Sequence, residues 1–222
     1  MIALQRDAQL ITPPWHEFNA KVEQLAEENG LGAPLLVAPS LRTSHNSIHH
    51  LYHLFRFEQF SKQRINNIGT IVEWGGGYGN MAKIIWRHGN QPTYVMIDSP
   101  IMCCLQWLYL SVTLPKTPTH LITSSNDRIR EHAINILPVG LSASYRLQSE
   151  VFLSTWAVSE SGVAAQQDVA NRKWFGARHL LIGFQESDQN FPDAGNIAAL
   201  AIADGATIED IPALAKSHYA LR

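Results

Sequence analysis

The chain has 222 residues, 45% hydrophobic and 16% charged, which supplies a sizeable core and is too apolar for a disordered chain. Seventeen basic against nineteen acidic residues leave a formal charge of −2 with no dense Lys/Arg cluster, which excludes nucleic acid as the main partner. The most apolar run, Ile101 to Leu114, is interrupted by Gln106, Trp107 and Tyr109 and is too short for a bilayer. No membrane span is expected. The N-terminus lacks the charged and apolar regions of a signal peptide, so a cytoplasmic location is the expectation. Cys103 and Cys104 are adjacent and could bridge only with strain, so both are expected to be buried thiols.

In chain order, Trp15 to Asn29 is rich in helix formers and stops at Gly30, and His45 to Asn66 has apolar positions near a 3.6 spacing. Both are expected helices, with LGAPLLVAPS between them as a loop. Residues 1–68 are therefore expected to form a helical extension capping the substrate side, and residues 69–222 the domain that follows. From Thr70, short apolar runs alternate with helical segments, the pattern of a parallel sheet with crossover helices. TIVEW is the first strand, Asn80 to His88 a helix ending at Gly89, and TYVMID the second strand. Pro100 to Leu114 is the next helix, with proline in its first turn. The third strand is HLITSS, His120 to Ser125, or alternatively INILPV, Ile134 to Val139. VFLSTW is the fourth, HLLIGF the fifth, and Phe191 to Arg222 gives one helix and an antiparallel pair ending in SHYALR.

The first strand runs straight into Gly75, Gly76, Gly77, Tyr78 and Gly79, which places a turn with almost no side chains at the carboxyl edge of the sheet, where ligands bind in such folds. A dinucleotide fingerprint starting at Gly75 would need a small residue where the chain has Asn80. The pattern acid-x-Gly-x-Gly-x-Gly is met instead by Glu73, Gly75, Gly77 and Gly79. An acid at the strand end suits a ligand with a cationic amino group and would repel a pyrophosphate. Asp98, with Ser99 beside it, closes the second strand where an acceptor for ribose hydroxyls is needed.

IVEWGGGYGNMAKI, YVMIDSP and FLSTWAVSES together resemble the sugar O-methyltransferase family, a branch of the class I S-adenosylmethionine-dependent methyltransferases, over about residues 45 to 222. The resemblance implies an α/β, Rossmann-like fold: a seven-stranded, mostly parallel sheet with a reversed last strand and helices on both faces. It implies S-adenosyl-L-methionine as cofactor and methyl transfer to a sugar or sugar-like hydroxyl. Glu73, Gly75, Gly76, Gly77, Tyr78 and Gly79 would then meet its methionine side, and Asp98 and Ser99 its ribose. Ser124 and Ser125 would flank adenine. Ser154, Thr155, Trp156, Ser159 and Glu160 would face the methyl group and the acceptor. Ser161 departs from the larger apolar residue of relatives. The expected partner is a small-molecule acceptor, a sugar or sugar nucleotide, with a second copy of the chain left open.

Such a transfer needs in-line alignment, exclusion of water and a base for the acceptor hydroxyl. Glu160 and His218 are the candidate bases. His45, His49 and His53 recur every four residues on one helical face, with His50 beside them. The absence of H-E-x-x-H and of any carboxylate among them argues against zinc, and no metal is expected. A helix over the site mouth, with His45 or His49 touching the acceptor, is the expectation. The alternatives are a nicotinamide-dependent reductase, disfavoured by Glu73, Asn80 and the lack of a Tyr-x-x-x-Lys pair, and a non-catalytic binding module on the same fold.

Overall fold

The computed structural model describes residues 22–38, 42–212 and 214–222. Helix α1 (Val22–Ala26) belongs to the first expected helix, whose beginning lies outside these residues; it ends before Asn29, because Glu27 leaves it to bridge Thr43. The segment expected as a loop contains β1 (Leu36–Ala38), paired antiparallel with β2 (Thr43–Ser44). Its glycine and proline content hides the strand, because pairing depends on the partner residues further along the chain.

Helix α2 (His45–Ser61) starts where Ser44, in extended conformation, accepts from the Ser47 amide at 3.3 Å. It stops short of Asn66 because Lys62 turns left-handed at φ 57° and its amide bonds the Glu58 carbonyl. Then come β3 (Thr70–Trp74), α3 (Asn80–His88), β4 (Thr93–Asp98) and α4 (Pro100–Thr113), each close to its expected bounds. Gly89 caps α3 at φ 118°.

Both alternatives for the third strand exist. β5 (Thr119–Leu121) is a short, half-buried edge strand, and β6 (Ile134–Pro138) pairs directly with β4. Ile134, Ile136 and Leu137 are fully buried, so β6 can sit in the interior with both faces covered, which the half-polar HLITSS cannot. The rest of the chain gives β7 (Val151–Thr155), α5 (Ala157–Glu160), α6 (Val163–Asn171), β8 (His179–Gln185), α7 (Asn196–Ala203), β9 (Thr207–Asp210) and β10 (Ser217–Leu221).

Among the described residues the main sheet has eight strands in the order β5-β6-β4-β3-β7-β8-β10-β9, one more than the seven expected because both alternatives for the third strand form. All pairings are parallel except the two made by β10. The order reverses between β4 and β7, with β3 in the middle, so the β3 loop opens at the switch point of the sheet.

Alternation along the strands divides two cores. Ile71, Tyr94, Met96, Leu153, Leu181 and Tyr219 face α1 to α4, where Leu25, Leu51, Leu54 and Ile84 join them. Val72, Val95, Phe152, Ile182 and Ala220 face the other side with Val158, Val169, Trp174 and Ile197. Helix α2 therefore packs on the same core as the sheet.

Candidate active site

β3 carries Glu73 on the face of Tyr94, whose hydroxyl donates to Glu73 Oε2 at 2.9 Å. Glu73 is only 2% exposed, and burial pushes its acid up to about 8, against the lowering effect of the Tyr94 bond. It lines a cavity of about 470 Å³ together with Gly75, Gly76, Gly77 and Tyr78. The glycines are not equivalent. Gly75 (φ +74°) is pressed on Ala157, whose Cβ would lie 2.0 Å from an added Cβ. Gly77 (φ +55°) has nothing within 4 Å of that position, so its bare surface faces open space. Gly79 (φ +100°) packs on Leu110 and starts α3.

Asp98 is tied to this loop through a residue with no motif to announce it. Gln106 Nε2 donates to Asp98 Oδ2 at 2.8 Å and to the Gly77 carbonyl at 2.9 Å, while the Ser99 amide donates to Asp98 Oδ1 at 2.7 Å. Burial raises the Asp98 acid above its ordinary value, with these donors and the Gly76 and Gly77 amides pulling the other way. Asp98 and Ser99 sit at the loop's flank, outside the lining of the main cavity.

The opposite wall is α2. His45, Asn46, His49, His50 and His53 line the cavity, with the His45 and His49 rings 3.9 Å apart. Asn80, the residue that spoils the dinucleotide fingerprint, donates from Nδ2 to His50 Nδ1 and to Ser47 Oγ, both at 3.1 Å. It thus fastens the histidine helix to the helix that follows the glycine loop. His53 Nδ1 is hydrogen-bonded to the Tyr219 hydroxyl, and its ring lies 5.4 Å from that of Trp156. Burial, reinforced by neighbouring histidines, lowers His50 to about 3 and His53 well below its ordinary value, so both are neutral.

Trp156 closes the chamber beside Thr155 at the end of β7, and Leu214 and Ser217 complete it. Trp156 holds φ +68°, a conformation costly for a non-glycine residue. Its amide bonds the Gly183 carbonyl at 2.6 Å, and its ring lies over Gly183, where an added Cβ would be 3.3 Å away.

The remaining candidates lie elsewhere. Ser154 is fully buried and structural, donating to the Trp74 carbonyl at 2.9 Å and accepting from the Val158 amide at 3.0 Å. Ser159 donates to the Trp156 carbonyl at 2.7 Å. Ser124 and Ser125 follow the edge strand β5, whereas the strand beside β4 is β6, so the segment from 138 onward holds the place they were expected to take. Ser124 instead builds a turn with Asp127, whose Oδ2 accepts its amide at 3.0 Å. Glu160 is exposed at the end of α5, its acid raised by burial and by Asp188, and it does not line the cavity.

His218 alternates with Tyr219 and so belongs to the other face of the sheet, where it bonds Asp210 at 2.9 Å and lies against Phe184. Of the two cysteines, Cys103 is buried, with its thiol pushed up to about 12 by burial, and Cys104 is exposed, contrary to expectation. Adjacent helical positions point about 100° apart, so only one of them faces the core. Among the described residues no group of three His, Cys, Asp or Glu could hold a metal ion, and no helix is long and apolar enough to cross a membrane.

No family model matches the chain, and no curated protein matches it. Solved structures do match. Magnesium protoporphyrin IX methyltransferase from Synechocystis PCC 6803, with bound SAM, superposes at a TM-score of 0.52 and 10% identity, covering 78% of this chain and 79% of that one. Mitomycin 7-O-methyltransferase superposes at 0.50 and 14% identity, covering 99% and 71% respectively. At these identities the likeness shows the fold, and the chain has the Rossmann-like fold of these methyltransferases.

Proposed function

We propose that the chain is an S-adenosylmethionine-dependent methyltransferase that acts on a hydroxyl of a small molecule, and, from the family resemblance, on a sugar-like ring. The observation that carries this reading is the pairing of Glu73 with the open face of Gly77 in one cavity. Burial holds the Glu73 acid up to about 8, and a cationic ammonium beside it would stabilise its charged form, whereas a pyrophosphate would disfavour that form further. The bare loop beside it leaves room for the ligand's backbone-close approach. The fold neighbours support the same cofactor class.

S-adenosylmethionine supplies an electrophilic methyl on a sulfonium, so the chain's residues need only bind, orient and exclude water. Gln106 holds Asp98 to the Gly77 carbonyl and so sets the loop for the ribose side. Trp156 and the neutral His50 and His53 form a wall that carries no charge to compete with the donor. His45 and His49, at the mouth, are the groups proposed to take the acceptor's proton. They replace Glu160 and His218, which do not reach the cavity.

The test is a titration of the protein with S-adenosylhomocysteine and, separately, NADH. S-adenosylhomocysteine is expected to raise the melting temperature, corresponding to roughly 2.7 kcal/mol at a hundredfold excess over its Kd. Stabilisation by NADH alone would overturn the reading in favour of a reductase. Tight S-adenosylhomocysteine binding without methyl transfer to any hydroxyl acceptor would make the chain a binding module.

A further inference from the structure

A second cavity, of about 550 Å³, lies beside the first and shares His45, Asn46 and Tyr78 with it. Its chemistry is different. Leu31, Pro34 and Leu35, ahead of β1, and Leu105 and Leu108 of α4 line it. Leu105 is 44% exposed, Leu108 54% and Leu35 83%, so this wall is apolar and accessible. Glu28, the one carboxylate among the described lining residues, is already satisfied by the Ser44 and Ser47 hydroxyls and by Lys83 Nζ at 3.1 Å. Tyr78 stands at the junction, its ring edge-on to Tyr109 with centroids 4.9 Å apart.

Resting on the methyltransferase reading, we infer that the acceptor is an amphipathic molecule: a hydroxyl-bearing polar ring in the histidine chamber, joined to an alkyl or aryl body that fills the leucine-lined cavity. The two cavities together have the mainly apolar lining with a few convergent polar groups that such ligands require. A free sugar would leave the apolar wall in water. A sugar nucleotide would bring a diphosphate into cavities whose described lining holds no lysine or arginine to meet it.

The experiment is calorimetry on the full chain saturated with S-adenosylhomocysteine, comparing hexyl glucoside with methyl glucoside. Binding of S-adenosylhomocysteine is measured first, and its absence would sink the methyltransferase reading on which the inference rests. With the cofactor product bound, hexyl glucoside is expected to bind at least roughly tenfold tighter, since each buried methylene contributes about 0.8 kcal/mol, close to fourfold. The double variant Leu105→Gln/Leu108→Gln should bring the two ligands within about twofold of each other. Val163→Gln, an exposed apolar site away from both cavities, should leave the ratio unchanged. Equal affinities for the two glucosides, or a preference that the leucine variant does not alter, would overturn the inference.

Discussion

Gly75 and Gly77 share a loop and a positive φ, yet they meet opposite surroundings. Gly75→Ala drives a methyl into Ala157 and should lower stability by about 1–3 kcal/mol, read as a lower urea midpoint with an unchanged slope. The Cβ of Gly77→Val meets no protein atom within 4 Å, so its expected cost in stability is about 1–2 kcal/mol of left-handed strain while its side chain enters the space proposed for the ligand. The expected outcome is a folded protein that has lost S-adenosylhomocysteine affinity; undiminished affinity would remove Gly77 from the cofactor site. Glu73 makes a pH prediction. Its ordinary value is 4.5 and its folded value about 8, so the unfolded chain gives up this proton first as pH rises. The group's contribution therefore falls across that window and is most favourable below it, by about 1.4 kcal/mol for each tenfold difference in proton affinity between the folded and unfolded chain. Glu73→Gln has no proton to lose, and its stability relative to the parent should climb between pH 5 and 8 in thermal melts. A flat difference would mean that the carboxyl is not held neutral.

At the scale of elements, the fastening of α2 to α3 decides where the histidines stand. Lys83, fully buried in α3, donates to Glu28 at 3.1 Å and to the Tyr109 hydroxyl at 2.8 Å, and Glu28 in turn accepts from Ser44 and Ser47 at the start of α2. Burial works to raise the Glu28 acid, but the two hydroxyls and the Lys83 ammonium outweigh it and hold it below its ordinary value. Removing one partner strands the other charge: Lys83→Met should cost about 3–5 kcal/mol. Lys83→Met/Glu28→Gln should recover most of that loss in denaturant titrations, and additive losses would contradict the pairing. For the chemistry proposed for α2, His45→Ala or His49→Ala is expected to lower turnover about a hundredfold with cofactor affinity kept. Glu160→Gln and His218→Ala, away from the cavity, should leave turnover within about twofold. Reversal of that order would return the base to Glu160 or His218.

For the molecule as a whole, the glycine loop, Glu73, the order of strands and helices and the reversed last strand were legible in the sequence, because each is a local pattern of 2.0 or 3.6 periodicity or of backbone permission at glycine. A third strand could be narrowed only to two segments. Choosing β6 for the place beside β4 required knowing which run is covered on both faces, and that is a property of the packed sheet. The same limit explains His218, whose place in the last strand fitted a catalytic role while the face of the sheet it occupies was set by register. Gln106 was visible only as a polar interruption in an apolar run, and its bonds to Asp98 and Gly77 emerge when α4 lies along the β3 loop. By itself the sequence determined the fold class and the glycine loop at the carboxyl edge of the sheet, since these rest on residues adjacent in the chain. The tertiary structure alone decided which imidazoles face the cavity, which carboxyl stays buried and that an apolar chamber adjoins it. Those depend on elements far apart in sequence whose meeting is fixed by the shared core.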